Sequence, residues 1–510
     1  MKQLGVLDSA FINLEHPNTP QHIGGLGIYD QSTAPDGRVR FKEVIASFER
    51  KLKKLPLFRT RLVQVPGGYD RPYWIKDDNF DVEFHLRHIA LPKPGDWRQL
   101  CILIARIHAR PLDMSRPLWE AYIIEGLDNI PHLPKNCFAV YTKMHHSLVD
   151  GAGGASFMSA LHDLEPNQAS WEEAEESYLG EHQPSALNML TRGTINTVRN
   201  SVDLVRGIYR TGFDVSKNLI DVARGRIPMP DVRAPKTRFN QPVGPYRVFE
   251  AAMFDLEELK AIKNATDSKV NDVAMCVIAG GIRHYLDHHG ELPLQSLSAA
   301  IPLNMRTRRG ETGENNQLGS MFASIHTDVA DPIERLHAIH KSTDEAKEFG
   351  EQTPLVDTLK VAGVFSPRLT KSLVNFYIDN KLTEHLPLAI STTISNVPGP
   401  PFPLYCSGAK LVQYHGIGLL TPGVGLFHLV FSYCGTVTIT ILGDRDIMPD
   451  PSFYRECLEK SFAELKAAAL KKGKVVRHKT KAEIESIKKE IAEVKDEIHK
   501  LEEGQASSHN

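Results

Sequence analysis

Apolar positions along the first half of the chain fall into two rhythms. "HIGGLGIYD" (His22–Asp30) and "LWEAYIIEGL" (Leu118–Leu127) are rich in β-branched and aromatic residues between turn formers, which predicts strands. "FKEVIASFERKLKKL" (Phe41–Leu55) repeats Val44, Ile45, Phe48, Leu52 and Leu55 at helical spacing and predicts an amphipathic helix. "CFAVYTKMHH" (Cys137–His146) reads as a strand and "GASFMSALHDL" (Gly154–Leu164) as the helix after it. The second half alternates the same two patterns. "VNDVAMCVIAGGIRHYL" (Val270–Leu286) predicts a buried helix, and "VTITILG" (Val437–Gly443) a strand exposed on one face.

Between the halves the pattern fails. Residues 165–181 are acidic and aperiodic, as a linker would be. Leu187–Arg226 regains a helical period with seven interleaved Lys and Arg against three Asp, and Pro228–Arg247 is proline-rich and extended. The division that results is 1–180 and 248–465 as two α/β domains of similar size, 181–247 as a helical and proline-rich crossing, and 466–510 as a charged tail. In the tail, Lys466–Lys481 holds seven basic residues and no acidic ones. Ile484, Ile487, Ile491, Val494, Ile498 and Leu501 then follow at alternating spacings of three and four. That is a heptad seam, suited to homo-oligomers or to a helix docked on its own domain.

Composition narrows the class. The 510 residues exceed one core, and 41% hydrophobic with 24% charged is ordinary for a globular protein. A formal net charge of −2 gives no global pull on nucleic acid. Six scattered cysteines without a CxxC pair predict reduced thiols in a cytoplasmic setting. Asp8 and Asn13 interrupt the N-terminal apolar stretch before it reaches signal-peptide length, and no run suits a membrane span. There is neither a P-loop nor a GxGxxG after a strand.

The chemistry concentrates in "TKMHHSLVDGAGG" (Thr142–Gly154). Neighbouring side chains on a strand face opposite ways, so His145 and His146 are poorly posed as a metal pair. One histidine at a strand end, before a tight turn, suits a general base, since imidazole is largely neutral at pH 7. A structural histidine remains the alternative. Asp150 would cap the following helix or hold the turn by an ion pair, and Gly151 permits the sharp backbone turn.

"HHSLVDG" matches the HHxxxDG signature of CoA-dependent acyltransferases. With "LDSAFINLEHPNTPQHIGGL" (Leu7–Leu26), "RPLWEAYIIEGL" (Arg116–Leu127), the Val270–Leu286 segment, "ISNVPGPPFPLYCSGAKL" (Ile394–Leu411) and "SYCG" (Ser432–Gly435), it resembles the bacterial wax ester synthase/diacylglycerol acyltransferase family over roughly residues 4–465. The resemblance implies two chloramphenicol-acetyltransferase-like α/β domains with a tunnel between them. It implies His146 as the general base and Asp150 paired with an arginine, here Arg59 in "LPLFRTRL", while strand alternation turns His145 away as a hydrogen-bonded support. It makes Asn271 a candidate oxyanion donor, with capping of its own helix as the alternative. Trp119 and Cys276 read as core residues. Gln21, Asn315 and Phe427–His428 depart from the family pattern.

The activity implied is O-acyl transfer from acyl-CoA to a long-chain alcohol or a diacylglycerol, with no metal and no cofactor beyond the CoA substrate. Such acceptors call for a peripheral site on the inner membrane or on lipid inclusions, which Leu187–Arg226 and Lys466–Lys481 would serve unless the former simply packs on the protein. The alternatives are a non-lipid acceptor on the same fold, or a catalytically silent lipid-binding scaffold.

Overall fold

The computed structural model describes residues 1–148, 158, 161–166, 181, 184–194, 196, 234–304, 318–352, 367–385 and 388–471. Asp150, Gly151, Asn315, all of 197–233 and the heptads beyond 471 lie outside the described residues.

Among the described residues, three sheets organise the fold. A small antiparallel one joins β1 (Lys2–Gln3) to β4 (Tyr73–Lys76) and β4 to β3 (Thr60–Val63). The first six-stranded sheet is built on β2 (His22–Asp30), β5 (Leu86–Ala90), β6 (Trp119–Glu125) and β7 (Cys137–His145). The second is built on β8 (Arg247–Asp255), β9 (Ser298–Asn304), β10 (Leu318–Ser324), β11 (Thr392–Pro398), β14 (Leu426–Tyr433) and β15 (Thr436–Asp444), in the order β10-β9-β11-β14-β15-β8.

The first sheet is completed from the far end of the chain, by β12 (Tyr405–Cys406) and β13 (Ala409–Ile417), giving β12-β13-β2-β7-β6-β5. A strand from inside the expected 248–465 domain thus crosses to the other half. Ala409–Ile417 belongs by its backbone ladder to the N-terminal sheet, antiparallel to β2 from Lys410 opposite Asp30 to Ile417 opposite Gly24. The two halves share apolar surface as well: Leu404, Cys406, Ala409, Leu411, Phe431 and Tyr433 sit in one cluster with Trp119, Phe138 and Val140. Further ties are His108 Nε2 to the Gly418 carbonyl (2.9 Å), Trp97 Nε1 to the Glu250 carboxylate, and the Arg247 guanidinium to the Asn18 carbonyl.

Glycine makes β2 possible. A Cβ on Gly24 would stand 2.8 Å from the Tyr141 hydroxyl, and one on Gly25 would collide with that of Tyr414. Two tyrosine rings therefore lie across a strand that any larger residue would push away. Both predicted termini of β2 are met, and the Phe41–Leu52 helix buries Val44, Phe48 and Leu52 as its periodicity requires. The one-face exposure expected of Val437–Gly443 is overturned. Thr438 and Thr440 are buried, and Thr438 Oγ1 donates to the Tyr414 and Phe431 carbonyls, because β13 packs over that side. Alternating threonine here marks a buried face between the halves, hydrogen-bonded through Thr438.

Toward the C-terminus, residues 451–471 form one helix. It runs past the expected boundary at 465. Lys466, first of the basic run, is engaged by Glu258 at 2.5 Å.

Candidate active site

The candidate site lies where β2 begins and β7 ends. Their antiparallel register sets His22 opposite His145. Beyond it, the His146 amide donates to the Gln21 carbonyl (2.8 Å) and the His145 amide to the Leu118 carbonyl (2.9 Å). The strand stops at His145, and His146–Leu148 turns as a 3-10 helix, so strand alternation does not separate the two rings. Their partners do.

His145 is completely buried. Its Nδ1 accepts from the Ser147 amide (3.1 Å) and meets Ser147 Oγ at 2.7 Å, which leaves the ring proton on Nε2, 3.3 Å from the Glu15 carboxylate. The same Glu15 oxygen accepts from the Gln21 amide at 2.6 Å. Glu15 therefore fixes the start of β2 and, through Gln21, the His146 backbone, with the His145 ring lying beside it.

The His146 ring stacks on Phe11 of the Val6–Leu14 helix, with centroids 4.0 Å apart and planes 20° from parallel. Its Nδ1 is buried and reaches no hydrogen-bond partner among the described residues. Burial, and then the neighbouring His145, lower its pKa to about 4; only its own backbone pulls the other way. The imidazole is therefore neutral across the physiological range. Nδ1 being buried, Nε2 is the nitrogen open to a reactant.

The other named residues are dispersed. Asn271 sits in the first turn of the Val270–His288 helix but does not cap it: Asp272 does, accepting from the Lys269 amide at 3.0 Å. The Asn271 carbonyl oxygen instead accepts from Asn396 Nδ2 (3.0 Å), and its amide nitrogen approaches the Met275 sulfur at 3.4 Å. That removes the capping alternative. Arg59 ends a 3-10 turn, half-buried, with its guanidinium 5.4 Å from the centre of the Phe80 ring. Its pairing with Asp150 falls outside the described residues. Trp119 is core, donating to the Phe58 carbonyl (2.8 Å) and stacked on His85, and Cys276 is buried in the helix that carries it.

The departures from the family pattern are structural where described. Gln21 serves through its backbone, and His428 links Thr392 Oγ1 (3.1 Å) to the Tyr454 hydroxyl (2.7 Å) inside the second sheet. Sequence reasoning missed Phe11, Glu15 and Ser147. Phe11 and Glu15 stood in a quoted segment without a role, because their partners lie some 130 residues further along the chain. Among the described residues, no three His, Cys, Asp or Glu side chains gather as a metal site requires.

Comparison with known proteins places these features. Residues 4–274 match the wax ester synthase/diacylglycerol acyltransferase catalytic domain, and residues 314–466 match the C-terminal domain of the same family. A putative diacylglycerol O-acyltransferase of Mycobacterium tuberculosis is 31% identical over 463 residues, covering 91% of this chain and 99% of the relative. The wax ester synthase/diacylglycerol acyltransferase of Marinobacter aquaeolei superposes with a TM-score of 0.63 at 28% identity, over 92% of this chain and all of that one. The first condensation domain of the calcium-dependent antibiotic synthetase shares the fold, with a TM-score of 0.51 at 12% identity over 92% of this chain and 97% of that domain.

Proposed function

The chain belongs to the wax ester synthase/diacylglycerol acyltransferase family and is an acyltransferase, and from that premise we propose that it esterifies a long-chain alcohol or a diacylglycerol with the acyl group of acyl-CoA, using His146 as the general base. The observation that carries the reading is the state of His146: a neutral ring, seated on Phe11, with Nδ1 buried and Nε2 left to act.

In the proposed step, Nε2 takes the hydroxyl proton of the acceptor as its oxygen attacks the thioester carbonyl. The tetrahedral oxyanion collapses, the carbon–sulfur bond breaks, and the imidazolium returns its proton to the CoA thiolate. The products are an ester and free CoA. Proton transfer of this kind contributes about 10²–10⁴ in rate. The low basicity of His146 means that it gains the proton only as the hydroxyl becomes acidic during attack. Glu15 and His145 hold the backbone on which the ring sits. Asn271 is the proposed oxyanion donor, oriented by Asn396, and Arg59 with Asp150 and Gly151 would keep the turn after His146 in shape. No cofactor beyond the CoA substrate enters the scheme. Partition of the acceptors into lipid assigns the protein to a membrane or inclusion surface.

Product analysis tests the assignment. Incubation with palmitoyl-CoA and either hexadecanol or a diacylglycerol is expected to yield palmityl palmitate or triacylglycerol. Turnover of palmitoyl-CoA only with amine or hydrophilic hydroxyl acceptors would assign a non-lipid acceptor instead.

A further inference from the structure

The helix Pro367–Asp379 is apolar on two opposite sides. Val374 and Ile378 are half-buried. About half a turn round from them, Leu369, Leu373 and Phe376 recur at helical spacing and are 47%, 59% and 59% exposed. A helix apolar on all sides is ordinarily enclosed.

The surroundings extend the feature. Gly68, in the Pro66–Gly68 turn, packs on Arg368 at the start of this helix, and the next residue, Tyr69, is 60% exposed. Gly193 packs against Val65 and Asp70 on the flank of the same turn, at the end of a short helical stretch that exposes Leu187. Charge follows the apolar residues. Arg368, Lys371 and Lys381 are exposed, and Lys236 is held at the Glu384 carbonyl. Among the described residues of 367–385, these cations face Asp379, paired with His16 at 3.4 Å, and Glu384. The His16–Asp379 pair also anchors this helix just beyond the Val6–Leu14 helix, whose Phe11 stacks on His146.

We propose that Leu373 and Phe376, with Tyr69 and the surrounding cations, form the surface by which the protein sits on an anionic phospholipid bilayer and draws its lipid acceptor toward His146. Apolar side chains entering the interface and cations at the headgroups are the two contributions that hold a peripheral protein without a spanning segment. No helix among the described residues is long and apolar enough to cross a membrane. This surface rests on the lipid-ester reading above and names where that reading meets the membrane.

The test compares the full chain with Leu373→Ser/Phe376→Ser, and with Leu294→Ser as a control at a remote side chain that is 98% exposed. Flotation with phosphatidylcholine vesicles containing phosphatidylglycerol should show the double variant binding at least about tenfold more weakly, the control unchanged, and wild-type binding reduced by salt. The ratio of vesicle-borne hexadecanol turnover to soluble hexanol turnover should fall by a similar factor, with the melting temperature held. Equal flotation of wild type and double variant would overturn the proposal. So would a change in molecular mass by light scattering in the double variant, which would assign this face to a second copy of the chain. Vesicle binding lost in the double variant, with neither alcohol turned over by wild type, would keep the surface and reject the lipid-ester chemistry.

Discussion

A histidine that binds its proton only near pH 4 makes an unusual base at neutral pH, and His146 is held in that state by burial against Phe11 and by its neighbour His145. The base form is then fully present well below pH 6. Acyl transfer should accordingly be flat between pH 6 and 8, without the inflection near 6.5 that a solvated imidazole gives. An inflection near 6.5 that moves with substitution of His146 would contradict the burial argument. Glu15 offers a second prediction. Its carboxylate accepts from the Gln21 amide, whose carbonyl holds the His146 amide, and lies 3.3 Å from the His145 ring, so Glu15→Ala should lower kcat by about 10²-fold with little change in KM for acyl-CoA, as displacement of a positioned base does. Steady-state kinetics decide it, and a rise in KM alone would place Glu15 in substrate binding. His145, His146 and Asn271 could be named as candidates from their motifs. Glu15 and Phe11 were not, since a carboxylate and a ring on a short helix carry no periodic mark of a partner that folding brings from some 130 residues away.

Elements show the same division between local and distant information. The bounds of β2, and the starts of the Phe41–Leu52 and Val270–His288 helices, followed from apolar spacing, because each buries a face that its own sequence defines; the helix ends, expected at Leu55 and Leu286, did not. The buried threonines of β15 did not, because the layer covering them is β13, some twenty residues earlier in the chain and paired into the other sheet. β2 is also the element most sensitive to added volume. Gly25→Val would force Tyr414 off the strand and part β2 from β13. We expect a loss of about 1–3 kcal/mol, the usual cost of overpacking, seen as a lower denaturant midpoint. An unchanged midpoint would mean that the tyrosine finds another seat without cost.

At the scale of the whole molecule, the two halves are one folding problem. A strand from beyond residue 404 completes the first sheet, and buried histidines stitch the interior. Burial lowers His108 and His428 to about 3 and His162 and His415 to about 4. Three of these four rings are hydrogen-bonded in ways that suit the neutral form. His108, for example, donates to Gly418 through Nε2 and faces the Tyr141 hydroxyl with Nδ1 (2.6 Å). Below the unfolded pKa near 6.5 the unfolded chain binds protons that the native chain refuses, so stability falls as pH falls. Each such group contributes about 1.4 kcal/mol per pH unit, and together with His146 they amount to much of a typical domain's stability within one unit below 6.5. Calorimetry should find Tm level above pH 7 and dropping steeply from 6.5 toward 5. A constant Tm over that range would contradict neutral burial. The crossing strand was invisible to a contiguous reading of domains, because a strand's own pattern does not say which sheet it will join.

The central claim is that His146 is the base of an acyl transfer to lipid. Its most direct test is thiol release from palmitoyl-CoA by wild type and His146→Ala, each with hexadecanol, with a diacylglycerol and with no acceptor. The account predicts release that depends on an acceptor in wild type and falls by at least about 10²-fold in a variant that keeps its fold. Acceptor-dependent release at the wild-type rate from His146→Ala would contradict it.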